Sequence, residues 1–246
     1  MKGLAKLTWN ELRLFGREPA SVFFSLGFPT LLLVILGSIP GFREHVPGLG
    51  GARPIDLYVP IMVAFCMGML AMQAVPTALA TYREKGILRR MAVSPIRPIN
   101  VIEAQLLMTL LLAVGAVVML LVVGRIAYDV PFPQQLVAFM LSFVLGCAAL
   151  LAVGLALAAV MPTGRAASTV GTLLFFPLMF FGGLWIPRAA MPETLRHIGD
   201  FTPLGAGVQA LQDAATGNWA QPIHIVVLAA YVVVFAAIAS RMFRWQ

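Results

Sequence analysis

The sequence predicts an all-α integral membrane protein with six transmembrane helices. Of its 246 residues, 60% are hydrophobic and only 11% are charged, and the mean hydropathy is +0.91. A soluble domain carries about 25% charged residues. Charge-free runs recur along the chain, and each approaches the roughly 20 residues that an apolar helix needs to cross the hydrocarbon core. We therefore expect residues 1–246 to form a single transmembrane domain.

An amphipathic helix is predicted before the first span, in residues 1–19. At 100° per residue, one stripe of this helix is polar and a broad opposite face is apolar. The polar stripe contains Lys6, Asn10, Arg13 and Arg17, and the apolar face contains Leu4, Trp9, Leu12 and Phe15. The pattern is typical of a helix that lies in the membrane interface with its cations toward anionic headgroups. A solvated helix on the cytoplasmic side is the alternative.

Six charge-free segments predict the spans. They lie at about 20–39, 57–80, 104–124, 134–160, 167–186 and 222–240. The fourth is longer than a bilayer requires, so we expect it to tilt or to extend past the membrane.

The loop at 187–221 contains two helix-like pieces, around residues 192–198 and 204–213, which residues 201–203 interrupt. Pro192 suits a first helical turn, and apolar residues give the loop one hydrophobic side. Such a loop can enter the outer leaflet as a re-entrant hairpin if protein buries its interrupted backbone. A plain outer loop is the alternative.

The distribution of Lys and Arg predicts the orientation. Twelve of these 17 residues fall in the two termini and in the second and fourth loops, and five fall in the remaining loops. The first group is Lys2, Lys6, Arg13, Arg17, Arg83, Lys85, Arg89, Arg90, Arg97, Arg165, Arg241 and Arg244; the second is Arg43, Arg53, Arg125, Arg188 and Arg196. By the positive-inside rule, both termini are cytoplasmic. The same rule accounts for the net charge of +7 better than nucleic-acid binding does.

Several kinds of chemistry are missing from the sequence. No carboxylate, His or Lys lies deep in a predicted span, which argues against a carrier driven by protons or sodium. Neither a Walker A motif nor a hydrolase or metalloprotease motif is present, so we predict no catalytic residue and no metal ligand. Cys66 and Cys147 lie in apolar runs and are expected to pack as small hydrophobic residues. Active transport would therefore need energy from another protein.

The segment TYREKGILRRMAVSPIRPINVIEAQ, residues 81–105, concentrates cations between two long apolar runs. Gly86 is expected to break or bend the helix of the second span. Residues 87–91 can then form a short helix whose apolar side chains lie between cations. Pro95 and Pro98 end this helix. Such a helix fits a groove on another protein. A loop that only fixes the topology is the alternative.

Two stretches resemble the permeases of ABC-2 type transporters. YREKGILRRMAVSPIRP is similar to the family's cytoplasmic loop, E-x-x-G-T-L-R-R-L-x-x-T-P, although one residue rather than two separates Glu84 from Gly86. Leu88, Arg89, Arg90 and Pro95 also match, while Ile87, Met91 and Ser94 replace Thr, Leu and Thr. The stretch FPLMFFGGLWIPRAAMPETLRHIGDFTPLGAGVQAL resembles the end of span five and the outer hairpin, with Gly182 in place of Ser and Thr202 in place of Asn.

The resemblance implies a permease subunit of an ATP-binding-cassette exporter in a bacterial cytoplasmic membrane. Two permease subunits, identical or different, would pair with two ATPase subunits, and these would bind ATP and Mg while this chain binds no cofactor. The exported compound would be a drug, an antibiotic or an amphiphilic, lipid-like molecule. A secondary transporter and a non-catalytic membrane assembly subunit are the alternatives.

The resemblance also implies which residues would act. A coupling helix would contact the ATPase through or near Arg83, Glu84, Lys85, Gly86, Ile87, Leu88, Arg89, Arg90 and Met91. A substrate could lie against Phe176, Met179, Phe180 and Phe181 at the subunit interface, although such residues also face lipid or pack in cores.

Overall fold

A computed structural model describes residues 2–49, 51–87 and 99–242. Within these ranges every regular element is helical, and none is a strand. Helix α1 covers Lys2–Gly16, and the six long helices are α2 (Pro19–Ser38), α3 (Pro54–Glu84), α4 (Ile99–Tyr128), α5 (Leu136–Val160), α6 (Gly164–Phe181) and α9 (Pro222–Met242). Two shorter helices, α7 (Glu193–Asp200) and α8 (Pro203–Ala215), precede the last span. The prediction of an all-α protein with six spans is confirmed.

The fifth span ends earlier than the sequence predicted. Helix α6 ends at Phe181, five residues before the predicted end of span five at 186. Gly182 follows as the C-cap, and Gly183 adopts a φ of 89°. Because a left-handed backbone favours glycine and cannot continue an α-helix, the apolar residues 184–186 belong to the turn after the span.

With six spans among the described residues, the start of α2 and the end of α9 lie at the same membrane face, which we call the terminal face. It also carries α1 and the loops that follow α3 and α5. The opposite face, which we call the hairpin face, carries α7, α8 and the loops that follow α2 and α4.

Helix α3 is the centre of the bundle. All its residues from 58 to 68 are buried, whereas α9 is exposed along most of its length. In the second half of α3, residues Leu70–Ala74 form a π turn. A Cβ added at Gly154 would lie 1.9 Å from the Ala71 carbonyl oxygen, and a Cβ added at Gly171 would lie 2.1 Å from the Met72 carbonyl oxygen. Glycines therefore let α5 and α6 touch the backbone of α3, as small residues do in packed membrane helices.

Helices α7 and α8 confirm the two predicted pieces of the loop before the last span. Thr202 caps α8 by accepting a hydrogen bond from the Gly205 N–H at 3.1 Å, and Pro203 occupies the first helical turn. Helix α8 is buried along most of its length. A Cβ at Gly146, ten residues into α5, would lie 3.9 Å from the Gly207 Cα. At 1.5 Å per residue, α8 thus packs roughly 15 Å from the start of α5.

Candidate functional site: a graded cavity and a terminal-face latch

A cavity of about 940 Å³ lies among α1, α2, α3 and α6, with two residues from α4. Its walls include Glu11, Phe15, Arg17, Glu18, Phe24, Ser25, Phe28, Phe65, Met69, Gln73, Thr77, Tyr82, Lys85, Gln105, Met108, Ser168, Thr172, Phe175, Phe176, Met179, Leu184 and Trp185. Phe24 on α2 and Phe176 on α6 are 49% and 54% exposed, so the cavity opens sideways between these two spans.

The cavity lining changes in polarity from one face to the other. All its charged residues, among them Glu18 and Lys85, lie at the terminal face. Neutral polar groups such as Gln73 and Thr172 follow further along α3 and α6. Beyond them, toward the hairpin face, the lining is aromatic or apolar and ends at Trp185.

Both spans that contain a π turn contribute that turn to the cavity. The turn in α2, Phe23–Gly27, supplies Phe24 and Ser25, and the turn in α3 supplies Gln73 and Ala74. Single π turns inside α-helices occur frequently at functional sites, because the extra residue leaves backbone groups and side chains out of helical register.

The structure brings together two of the four residues predicted for the substrate pathway. Phe176 and Met179 line the cavity, whereas Phe180 and Phe181 are not part of its wall. Phe180 and Phe181 instead pack edge to face, with ring centroids 5.6 Å apart. A role for any of these residues in transport stays a prediction.

Sequence reasoning missed the polar residues of the cavity. Within α6, the Thr172 hydroxyl donates to the Ser168 carbonyl at 2.9 Å. Gln105 was not singled out at all. A glutamine within an apolar run is the signal that could have identified Gln73 and Gln105, since a buried amide needs partners.

The end of α3 is bonded to the loop between α5 and α6. The Arg83 guanidinium donates to the Ala159 carbonyl at 2.9 Å and to the Met161 carbonyl. The Glu84 carboxylate accepts a hydrogen bond of 3.0 Å from the Gly164 N–H. We call Arg83, Glu84 and residues 159–164 the terminal-face latch.

The two charges of the latch complement two helix dipoles. Ala159 lies in the last turn of α5, where unpaired carbonyls carry partial negative charge, and Arg83 brings a cation there. Gly164 begins α6, where N–H groups carry partial positive charge, and Glu84 brings an anion. Two consecutive residues of α3 therefore cap one helix end each.

The mouth of the cavity is tied to α1 by a second contact. The Tyr82 hydroxyl donates to the Glu11 carboxylate, at 2.9 and 2.8 Å from its two oxygens. Burial raises the pKa of the Glu11 carboxyl, and the hydrogen bond from Tyr82 partly opposes that change. The contact fixes α1 against the end of α3.

Only the first part of the predicted coupling helix is described. Helix α3 ends at Glu84, and Gly86 has a φ of 64°, which confirms that the helix of the second span breaks at this glycine. Arg83 and Glu84 belong to the latch, and Lys85 lines the cavity mouth. Ile87 is half-buried, while Leu88, Arg89, Arg90 and Met91 lie outside the described residues.

A buried ionic cluster occupies the hairpin face. Arg188 is 7% exposed, and it donates to Asp200, to the Phe181 carbonyl at 3.2 Å and to the Arg196 carbonyl at 3.1 Å. His224, 3% exposed at the start of α9, places its Nε2 3.3 Å from the Asp200 Oδ1. Burial lowers the pKa of Arg188 against the opposing influence of Asp200. We call Arg188, Asp200 and His224 the hairpin-face cluster.

The family model described as ABC-2 type transporter matches residues 3–215. The chain belongs to the ABC-2 type transporter family. It is also similar to a Bacillus subtilis (strain 168) protein named "Putative transport permease YvfS", with 23% identity over 195 residues that cover 77% of each chain. The match includes the cavity, the latch and helices α7 and α8, so the molecule is a multi-pass membrane permease of an ABC transporter.

Proposed function

We propose that the permease forms the membrane pathway of an ATP-binding-cassette exporter and is driven by separate ATPase subunits at its terminal face. The terminal-face latch is the observation that carries the proposal. Arg83 and Glu84 lie at the start of the segment that resembles the family's ATPase-contacting loop, and they bond the end of α5 and the start of α6.

The latch gives a physical route from the ATPase to the cavity. A force on residues 85–98 pulls on the end of α3, and the two capping interactions transfer it to α5 and α6. Helix α6 carries Ser168, Thr172, Phe176 and Met179 in the cavity wall, and α3 carries the π turn opposite. A shift of either helix changes the shape of the cavity, because packed helices move as rigid elements.

Several further features support the arrangement. The excess of cations at the terminal face supports a cytoplasmic location for both termini in a bacterial inner membrane. The side opening between α2 and α6 leaves room for a second permease subunit, identical or different. Helix α8, buried at the depth of Gly146, supports a re-entrant hairpin in the outer leaflet.

The cavity also supports the class of cargo. Its volume of about 940 Å³ lies within the roughly 300–1,000 Å³ of pockets that hold drug-sized ligands. Its mainly apolar wall suits a drug, an antibiotic or a lipid-like amphiphile. ATP and Mg would be bound by the partner ATPase subunits.

The test is to find whether a neighbouring gene encodes an ATP-binding-cassette protein, to co-purify that protein with this chain, and to measure ATP hydrolysis and transport in proteoliposomes. We expect Arg83→Ala to keep ATPase binding and hydrolysis but to lose most transport. Arg165→Ala, at an exposed position on the same face, is the matched control and should behave as wild type. Transport by the permease alone, driven by a pH difference, would contradict the proposal.

A further inference from the structure

His224, in the first turn of α9, has a carboxylate on each side of its ring. Its Nε2 is 3.3 Å from the Asp200 Oδ1 at the end of α7, and its Nδ1 is 4.0 Å from the Asp213 Oδ2 near the end of α8. The Nδ1 is buried and has no hydrogen-bond partner among the described residues. One imidazole ring therefore lies where three helices of the hairpin face meet.

The arrangement contains too few donors when His224 is neutral and both aspartates are ionised. A neutral imidazole has one N–H, so the lone pair of its other nitrogen faces a carboxylate. One additional proton removes this repulsion. The proton either makes His224 an imidazolium with two donors or protonates Asp213, whose O–H then donates to the neutral Nδ1. Because both forms contain the same proton, Asp213 and His224 act as one site.

The charge of Asp200 is already compensated. The Arg188 guanidinium, which follows α6, donates to the Asp200 Oδ1. On α7, His197 lies 3.9 Å from the Asp200 Oδ2 and 3.8 Å from the Glu193 carboxylate, but its side chain is 70% exposed. Glu193 and Arg196 are also exposed on that helix, so water screens all three. The additional proton is needed on the other side of the ring, at Asp213.

Asp213 lacks a counter-ion of this kind. Its Oδ2 accepts a hydrogen bond of 3.3 Å from the Gln221 N–H, and His224 is the only ion-pair partner that the described part of the chain offers it. Helix α5, which packs against both α8 and α9, carries no charged residue. Burial raises the pKa of the Asp213 carboxyl, although the Gln221 N–H and His224 oppose that change. The surroundings of Asp213 therefore favour a bound proton.

Helix α8 connects this position to the far end of the cavity. Leu184 and Trp185, which line that end, belong to the turn after α6. In the same turn, a Cβ added at Gly182 would lie 2.6 Å from the Leu204 Cδ2 of α8. Because α8 touches this turn, a displacement of α8 changes the far end of the cavity.

We propose that Asp213 and His224 form a proton-binding site, and that the bound proton joins α8 to α9 and keeps the far end of the cavity closed. The proton comes from the solution at the hairpin face, because the Asp213 and Asp200 side chains are 22% and 21% exposed. After its loss, the His224 Nδ1 lone pair faces an ionised carboxylate, and α8 separates from the start of α9. The closing of the cavity rests on the proposed function, whereas the site itself does not.

Thermal unfolding of the full chain in detergent, from about pH 5 to about pH 8.5, tests the proton without any ATPase. All proteins carry Glu11→Gln, which removes the other expected pH dependence. The unfolding temperature should fall with rising pH, by roughly 3–5 °C per pH unit in the steep part of the profile. The sign follows because the folded site binds the proton more tightly than the unfolded chain does.

Three variants assign the proton. Asp213→Asn gives the His224 Nδ1 an amide donor that needs no proton, so the profile should be flat at the level of the acidic parent protein. His224→Gln should also be flat, at lower stability. His197→Gln is the control and should keep the slope. A slope that persists in Asp213→Asn, or in His224→Gln if Asp213→Asn does not fold, would overturn the inference, and so would a flat profile in His197→Gln.

Trp219 reports on the loop that joins α8 to α9. Its side chain is exposed, and it becomes the single tryptophan when Phe replaces Trp9, Trp185 and Trp245. In the same Glu11→Gln background, its fluorescence anisotropy should fall as the pH rises and should stay constant in Asp213→Asn. A constant anisotropy in both proteins would mean that the proton does not hold α8 against α9, which would overturn the inference.

The assembled complex separates this inference from the proposed function. Acid at the hairpin face of proteoliposomes should slow ATP-driven transport, and Asp213→Asn should be slow at every pH. Transport that ignores the pH at this face would overturn the closing of the cavity by the proton. If the wild-type complex shows no ATP-driven transport, the proposed function fails, and the thermal and fluorescence results still decide on the proton-binding site.

Discussion

Charged side chains fix helix ends at both faces of the permease, but their partners differ. In the terminal-face latch, Arg83 and Glu84 bond to backbone groups of neighbouring helices and remain partly or largely exposed. In the hairpin-face cluster, Arg188 is buried and bonds to the carboxylate of Asp200, which also contacts His224.

The difference indicates which face can move. Breaking the latch exposes carbonyls and charges that water can solvate, so its cost is moderate. Breaking the hairpin-face cluster leaves a buried guanidinium without its counter-ion, which is far more costly. The latch is therefore suited to opening and closing during a cycle, and the hairpin-face cluster is suited to holding α7 and α9 together.

The largest effect is expected at the hairpin face. Arg188→Met should destabilise the protein by about 3–5 kcal/mol, because it removes one partner of a buried ion pair. Thermal unfolding in detergent measures the loss. Arg196→Met, at an exposed residue of α7, is the control and should be nearly neutral. The double variant Arg188→Met/Asp200→Leu should be more stable than Arg188→Met, and equal or lower stability would argue against the ion pair.

The second-largest effect on stability is expected at the latch, where α6 lies close to α3. A Cβ at Gly164 would lie 2.0 Å from the Thr81 Oγ1 and 3.2 Å from the Thr77 carbonyl oxygen. Gly164→Ala should therefore cost about 1–3 kcal/mol through overpacking, and Thr81→Ala should relieve part of that cost. Gly115→Ala on α4, where a Cβ meets no atom within 4 Å, is the control in the same thermal assay. A stable Gly164→Ala protein would contradict the close contact.

The third effect concerns the latch itself. Arg83→Ala should cost about 1–2 kcal/mol, less than a fully buried charged hydrogen bond, because the guanidinium is partly exposed. Hydrogen exchange should rise in the backbone amides at the end of α5 and in residues 161–165, while the exchange of α8 stays unchanged. Arg83→Lys keeps the charge at the end of α5 and should show a smaller rise. Unchanged exchange in Arg83→Ala would mean that the latch does not hold these helix ends.

The smallest effect is a pH dependence at Glu11. Its folded pKa is raised above the ordinary carboxyl value of 4.5 by burial, so the folded protein binds this proton more tightly than the unfolded chain. Stability should fall as the pH rises from about 4.5 through the raised pKa and then level off. Glu11→Gln should remove this contribution and keep an acceptor for Tyr82. An identical pH profile of thermal stability in the variant would refute the assignment.

The sequence by itself determined the spans, the break at Gly86 and the two helices of the hairpin. These features follow from local rules: an apolar helix must match the hydrocarbon thickness, a left-handed residue favours glycine, and the proline-containing residues 201–203 interrupt the helical pattern of the loop. The stretches around Arg89 and Gly182 also carried the family resemblance that the match to residues 3–215 confirms.

Only the tertiary structure decided which residues meet. The partners of Arg83 and Glu84 are backbone groups at 159–164. Because nearly every residue has the same backbone groups, the sequence does not show which of them will be bonded. Phe176 lines the cavity and Phe181 does not, because the side-chain direction depends on how α6 rotates against α3. Gln105 meets a cavity only because five helices from distant parts of the chain surround that space, and such packing is a property of the assembled bundle and not of any one segment.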